Sequence, residues 1–234
     1  MSKVDFEKIQ SLLTNYSFEE RAAAFMALRA EFPIHELETL WNTTAEVILE
    51  AIARSSDLTK RGVRGVIAEA SFKQHIVNRL LADGWEEKGI TGDKPFDFHL
   101  KHEEIEIRIQ VKMQRQKAHR PMLASEASKT LFGDKTDMWV VETQRTRGGK
   151  SKSGDATRPY RFGEFDILAV SLHPSGRDWS RFIYTVASRL IPDPHNDKRI
   201  FKYQPVPRTA NNAWTEDLLK CIEWFKEYSQ HQAT

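Results

Sequence analysis
The fold turns on one run of residues, Pro95-Phe-Asp-Phe-His-Leu-Lys-His-Glu-Glu-Ile-Glu-Ile-Arg-Ile-Gln-Val-Lys-Met113. Phe96, Phe98 and Leu100 fall on one side of an extended chain, with Asp97 and His99 on the other. After the polar link from Lys101 to Glu104, Ile105, Ile107, Ile109, Val111 and Met113 alternate with Glu106, Arg108, Gln110 and Lys112. A period of two marks strands, because successive side chains of a strand point to opposite faces. The two runs lie close enough in sequence to pair as an antiparallel hairpin, with Asp97 on one strand and Gln110 and Lys112 on the next, in a register that the sequence leaves open.

Upstream the period changes to that of a helix. Residues 63–82 carry Val63, Val66, Ile67, Ala70, Val77, Leu80 and Leu81 on one stripe, closed by Asp83-Gly84 as a C-cap. Glu69 stands at the edge of that stripe, and a carboxylate there needs a partner because burying it alone is costly. The first 60 residues read as helices at 5–13, 18–32 and 36–54, with no visible chemistry and packing as their expected task. Downstream, a helix is expected at 123–131, strands at 138–143, 165–171, 182–187 and 200–203, and a closing helix at 214–228. The expected architecture is α/β (α+β): a helical region over 1–60, then a domain over 61–234 built on a central mixed β-sheet flanked by helices.

Composition bounds the function. Of 234 residues, 40% are hydrophobic, enough for a core and too many for a disordered chain. Apolar runs are only a few residues long and the first residues form no signal region, so a cytoplasmic protein without membrane attachment is expected. A single cysteine, Cys221, excludes a disulfide within the chain and a zinc site built on cysteines; its helical stripe marks it as core. The eight histidines are scattered, with no pair at helical metal spacing. Net charge is +2 yet unevenly spread: residues 108–161 hold 13 Lys/Arg against 5 Asp/Glu, whereas residues 1–60 hold 6 against 10. One basic quarter in a nearly neutral chain points to one surface that faces a polyanion.

Cleaving a phosphodiester requires a divalent cation held by oxygen ligands and a cationic group to orient water and offset developing charge. The hairpin supplies these types: the Asp97 carboxylate, the Gln110 amide, the Val111 carbonyl and the Lys112 ammonium, with Glu69 available from the helix. Glu69, Pro95-Phe96-Asp97 and Gln110-Val111-Lys112 together resemble the PD-(D/E)XK nuclease superfamily, above all its type II restriction endonucleases. The resemblance implies a restriction-endonuclease-like fold and Mg2+ as cofactor. It casts Asp97, Gln110 and Glu69 as catalytic ligands with the Val111 carbonyl, and Lys112 as the catalytic lysine. Two departures stand out: residue 110 is Gln where the motif has Asp or Glu, and the proline lies one residue further from the aspartate than the motif places it. Asp137, Glu142 and Asp166 compete as carboxylates, but none has a lysine two residues on.

The second informative stretch is the loop 144–161, with Arg145, Arg147, Lys150, Lys152, Arg158 and Arg161 among glycines. A loop this long is either functional or disordered. Its cations can neutralise phosphates and its arginines can reach guanine edges. Arg115, Lys117 and Arg120, just past the candidate site, would follow the same strand. The resemblance implies sequence-specific cleavage of double-stranded DNA by a homodimer, with a cognate DNA methyltransferase as a functional partner. Two alternatives stay open: a structure-specific repair or junction nuclease, and a non-cleaving DNA-binding protein of nuclease fold.

Overall fold
The structure, a computed structural model, describes residues 9–11, 14–133, 137–145 and 158–233. Contacts divide the chain into two compact units, Met1–Lys60 and Arg61–Thr234.

The first unit holds α1 (Phe18–Glu31), α2 (Glu36–Trp41) and α3 (Ala45–Arg54). Ser17 caps α1 in a reciprocal pair with Glu20. The single helix expected over 36–54 is two: Asn42 turns left-handed at φ 49°, and Thr44 caps a new start by accepting from the Val47 N–H. Apolar stripes of two helices in register read as one. What ties these helices together is polar. The Glu38 side chain, 8% exposed, accepts from the Ala45 N–H at 2.7 Å and the His35 N–H at 3.2 Å, and pairs with Arg29 at 2.6 Å. The helix expected at 5–13 falls mainly outside the described residues.

The second unit starts within α4 (Asp57–Phe72), which runs through a π turn, Lys73–Val77, into α5 (Asn78–Ala82). The helix expected from 63 thus starts earlier, and its period is broken. The wide turn lets Phe72 and Val77, five residues apart, both reach the core. Then come β1 (Glu86–Glu87), β2 (Phe98–His102), β3 (Ile105–Met113), β4 (Gln116–Lys117), β5 (Arg120–Pro121), α6 (Ala124–Ala127), α7 (Lys129–Phe132) and β6 (Trp139–Glu142). The chain continues with β7 (Ile167–Ser171), α8 (His173–Gly176), β8 (Phe182–Val186), β9 (Pro192–Asp193), β10 (Asn196–Ile200), β11 (Tyr203–Val206) and α9 (Leu218–Ala233).

Among the described residues the central sheet has the order β1-β2-β3-β7-β8, with β3 and β7 parallel and the other neighbours antiparallel. It is a mixed sheet flanked by helices. The hairpin forms as its alternation requires, Phe98 facing Ile109 and Leu100 facing Ile107, but β2 starts two residues later than expected. Lys101 and His102 pair with Glu106 and Ile105, so the link shrinks to a turn at Glu103, whose φ is +52°. Ile107, Ile109 and Val111 face one core layer with Phe72, Val77, Leu218, Cys221 and Ile222 from the helices. The opposite face packs Leu168 and Val170 against Tyr160, Phe165, Ile200 and Trp214. β7 and β8 are buried throughout, as strands covered on both faces must be.

Other boundaries differ for local reasons. The helix expected at 123–131 breaks at Ser128, and the strand expected at 200–203 is the junction between β10 and β11. The closing helix starts at Leu218 because Thr215 still exchanges both backbone bonds with Tyr184, and the Asp217 carboxylate then accepts from the Leu219 N–H at 2.9 Å.

Candidate active site
Asp97 sits one residue before β2, where its N–H donates to the Ile109 carbonyl at 2.9 Å and sets it opposite Gln110. Its carboxylate accepts from the Val111 N–H at 2.7 Å and from the Gln110 amide nitrogen. Gln110, 2% exposed, also donates to the Val111 carbonyl at 3.1 Å, and its amide oxygen accepts from the Tyr160 hydroxyl at 3.0 Å. Lys112 follows on the same face, with its Nζ 5.4 Å from the centre of the Tyr160 ring. Glu69 reaches the group from α4, close enough to feel the charges of Asp97 and Lys112.

The electrostatics of this cluster are those of a crowded anionic pocket. Burial pushes the Glu69 carboxyl up to about 7; the charge of Asp97 adds to the rise and that of Lys112 opposes it. Burial also raises Asp97, against the pull of Lys112, the Val111 N–H and the Gln110 amide. Lys112 is lowered by burial while Asp97 and Glu69 hold it up. Two carboxylates that resist ionisation together, with one ammonium, leave room for further positive charge. The donor set fits a hard cation: two carboxylates, a carbonyl and an amide, all oxygen ligands. No group of three or more His, Cys, Asp or Glu side chains suited to a metal occurs among the described residues, so neutral oxygens have to complete any such site.

The expected basic residues separate. Arg145 lies beside the cluster, 5.6 Å from the centre of the Tyr160 ring and paired with Glu164 at 2.8 Å. Arg158 donates to the Arg145 carbonyl at 3.3 Å, and the Arg161 N–H donates to Glu164 at 3.0 Å. Arg115 pairs with Glu142 at 2.6 Å. Lys117 and Arg120, from β4 and β5, converge on Glu126, and Arg120 holds that carboxyl well below the usual range. Arg147, Lys150 and Lys152 lie outside the described residues.

Two of the competing carboxylates have other partners: Glu142 pairs with Arg115, and Asp166 is held by Arg108. Asp166 accepts from the Arg108 N–H at 2.8 Å and from its guanidinium at 2.7 and 2.9 Å. Glu106, which shares the polar side of β3 with Lys112, pairs with His99 at 2.7 Å. The residue that sequence reasoning missed is Tyr160. It lies in a stretch read only for its cations, and its apolar neighbours, Phe162 and Phe165, were its only mark as a buried side chain.

Scans against family models and curated proteins return no match. Among solved structures, the chain is similar to a bacterial homing endonuclease, I-Ssp6803I, at 21% identity and a TM-score of 0.38, over 74% of this chain and 95% of that one. At that identity and superposition the likeness decides neither fold nor activity, and both rest on this chain's own residues. No helix among the described residues is long and apolar enough to cross a membrane.

Proposed function
We propose that this chain is a Mg2+-dependent DNA endonuclease that cuts both strands of a specific sequence, in the manner of a type II restriction enzyme. The observation that supports it is the convergence of Glu69, Asp97, Gln110, the Val111 carbonyl and Lys112 at the β2–β3 hairpin. Asp97 and Glu69 would hold the cation with the Val111 carbonyl and the Gln110 amide oxygen. When bound, such an ion polarises a phosphate oxygen and makes a nearby water more acidic.

The chain's own residues do the rest. Lys112, whose charged form burial disfavours and the charges of Asp97 and Glu69 support, would hold the attacking water and offset the charge that builds on the phosphate. The Tyr160 ring has both the Lys112 ammonium and the Arg145 guanidinium within cation–π range, at 5.4 and 5.6 Å from its centre. Arg145, Arg158 and Arg161 stand at the described ends of the basic loop, which would grip the DNA backbone with Arg147, Lys150 and Lys152. Arg115, Lys117 and Arg120 have acidic partners and would have to exchange them for phosphate. One such site cuts one strand, so cleavage of a duplex calls for a homodimer. A chain of this kind would work in the cytoplasm beside a methyltransferase that protects the host's DNA.

The test is incubation of purified protein with bacteriophage DNA and with branched DNA, each in Mg2+ and in EDTA. Discrete fragments of phage DNA in Mg2+ alone are the expected result. Cutting confined to branched substrates favours a junction nuclease. Retarded but intact DNA under both conditions favours a non-cleaving binder, a reading to which the inward-facing Gln110 nitrogen lends weight.

A further inference from the structure
Gln110 is turned so that its amide nitrogen, not its oxygen, faces the Asp97 carboxylate. Both groups it donates to, the Asp97 carboxylate and the Val111 carbonyl, are acceptors, and both are oxygens that the proposed function assigns to a cation. On its other side the amide oxygen takes the Tyr160 hydroxyl proton at 3.0 Å. The donor thus stands between two oxygens that would otherwise face each other in a buried pocket.

The chemistry of these two side chains allows a second arrangement. A primary amide is close to symmetric in shape, so half a turn exchanges its oxygen and nitrogen. A tyrosine hydroxyl both donates and accepts, so the bond between Tyr160 and Gln110 persists in either orientation. A glutamate at this position has no such option: ionised, it offers acceptors only, and with Glu69 and Asp97 it would set three carboxylates around Lys112.

We propose that Gln110 holds the place of the divalent cation while none is bound. Its amide nitrogen satisfies Asp97 in the metal-free chain, and the amide turns over against Tyr160 to offer its oxygen when the cation enters. The inference rests on the cation-dependent reading of the site and explains why this position carries an amide: without an ion the fold is more stable with an amide there than with a carboxylate.

Thermal unfolding of the full chain at pH 8 tests it, with wild type, Gln110→Glu, Asp97→Asn and the double variant, each in EDTA and in saturating Mg2+. In EDTA, Q110E unfolds about 5 °C below wild type, the size expected when a charge-assisted hydrogen bond is lost from a unit of this length. In the Asp97→Asn background the same change costs about 1 °C or less, because the carboxylate it repels is gone. Mg2+ raises the midpoint of Q110E more than that of wild type and leaves both Asp97→Asn proteins where they were. If Mg2+ stabilises wild type through Asp97 but Q110E is unharmed in EDTA, or is equally harmed in the Asp97→Asn background, this inference fails and the cation reading stands. If Mg2+ moves no midpoint at all, the cation reading falls and takes the inference with it.

Discussion
Glu69 is the carboxyl that burial pushes furthest up in the candidate site. Its carboxyl titrates near 7 in the folded, metal-free chain against an ordinary value of 4.5. Between those values the folded state keeps a proton that the unfolded chain has released. The associated stability is therefore complete below about 4.5 and is lost as pH rises through about 7. Denaturation in EDTA across that range shows a falling free energy for wild type and a flatter one for Glu69→Gln; equal slopes refute the placement. How far such residues could be read in advance depends on the range of the force that places them. The shared hairpin of Asp97, Gln110 and Lys112 was legible because strand alternation sets their faces, but the register that sets Asp97 opposite Gln110 came from the structure. Tyr160 was not: it meets Gln110 across 50 residues of chain, through packing that no local period encodes.

At the scale of elements, β3 and β7 are parallel neighbours, and the Asp166 carboxylate locks them at one end by accepting three hydrogen bonds from Arg108. Asp166→Ala removes both acceptor oxygens and with them all three bonds. With Arg108 able to turn toward water, the expected loss is about 2 kcal/mol, measured as a lower denaturant midpoint at unchanged slope. In the first unit the corresponding lock is Glu38. Arg29 foremost, then the Ala45 N–H, pull its carboxyl from 4.5 to about 2. Its contribution is present above 4.5 and lost as pH falls through about 2. Helicity at 222 nm should show an acid transition in that window which Glu38→Gln abolishes at the outset by loosening α1 to α3 at neutral pH. The alternation of β3, the unbroken apolar run of β7 and the stripe along the later half of α4 could be read from sequence. The break at Asn42 and the π turn after Phe72 could not, since both leave the apolar residues near the spacing of one continuous helix.

For the whole molecule, the mixed sheet followed from the order of periods along the chain, while pairing β3 beside β7 required contacts across more than 50 residues. Charge patterning located the basic quarter, yet the structure sets Arg115, Lys117, Arg120 and Arg145 against carboxylates that sequence distance conceals. If cutting a duplex needs two sites, the protein should sediment on its target DNA at the mass of two chains, and a single chain per duplex would count against the dimer. The most direct measurement compares wild type with Lys112→Ala on phage DNA in Mg2+, with DNA binding followed by gel retardation. Loss of cleavage by at least about a hundredfold, with binding nearly unchanged, is the predicted result; cleavage by the variant at the wild-type rate would contradict the assignment of this cluster as the cutting site.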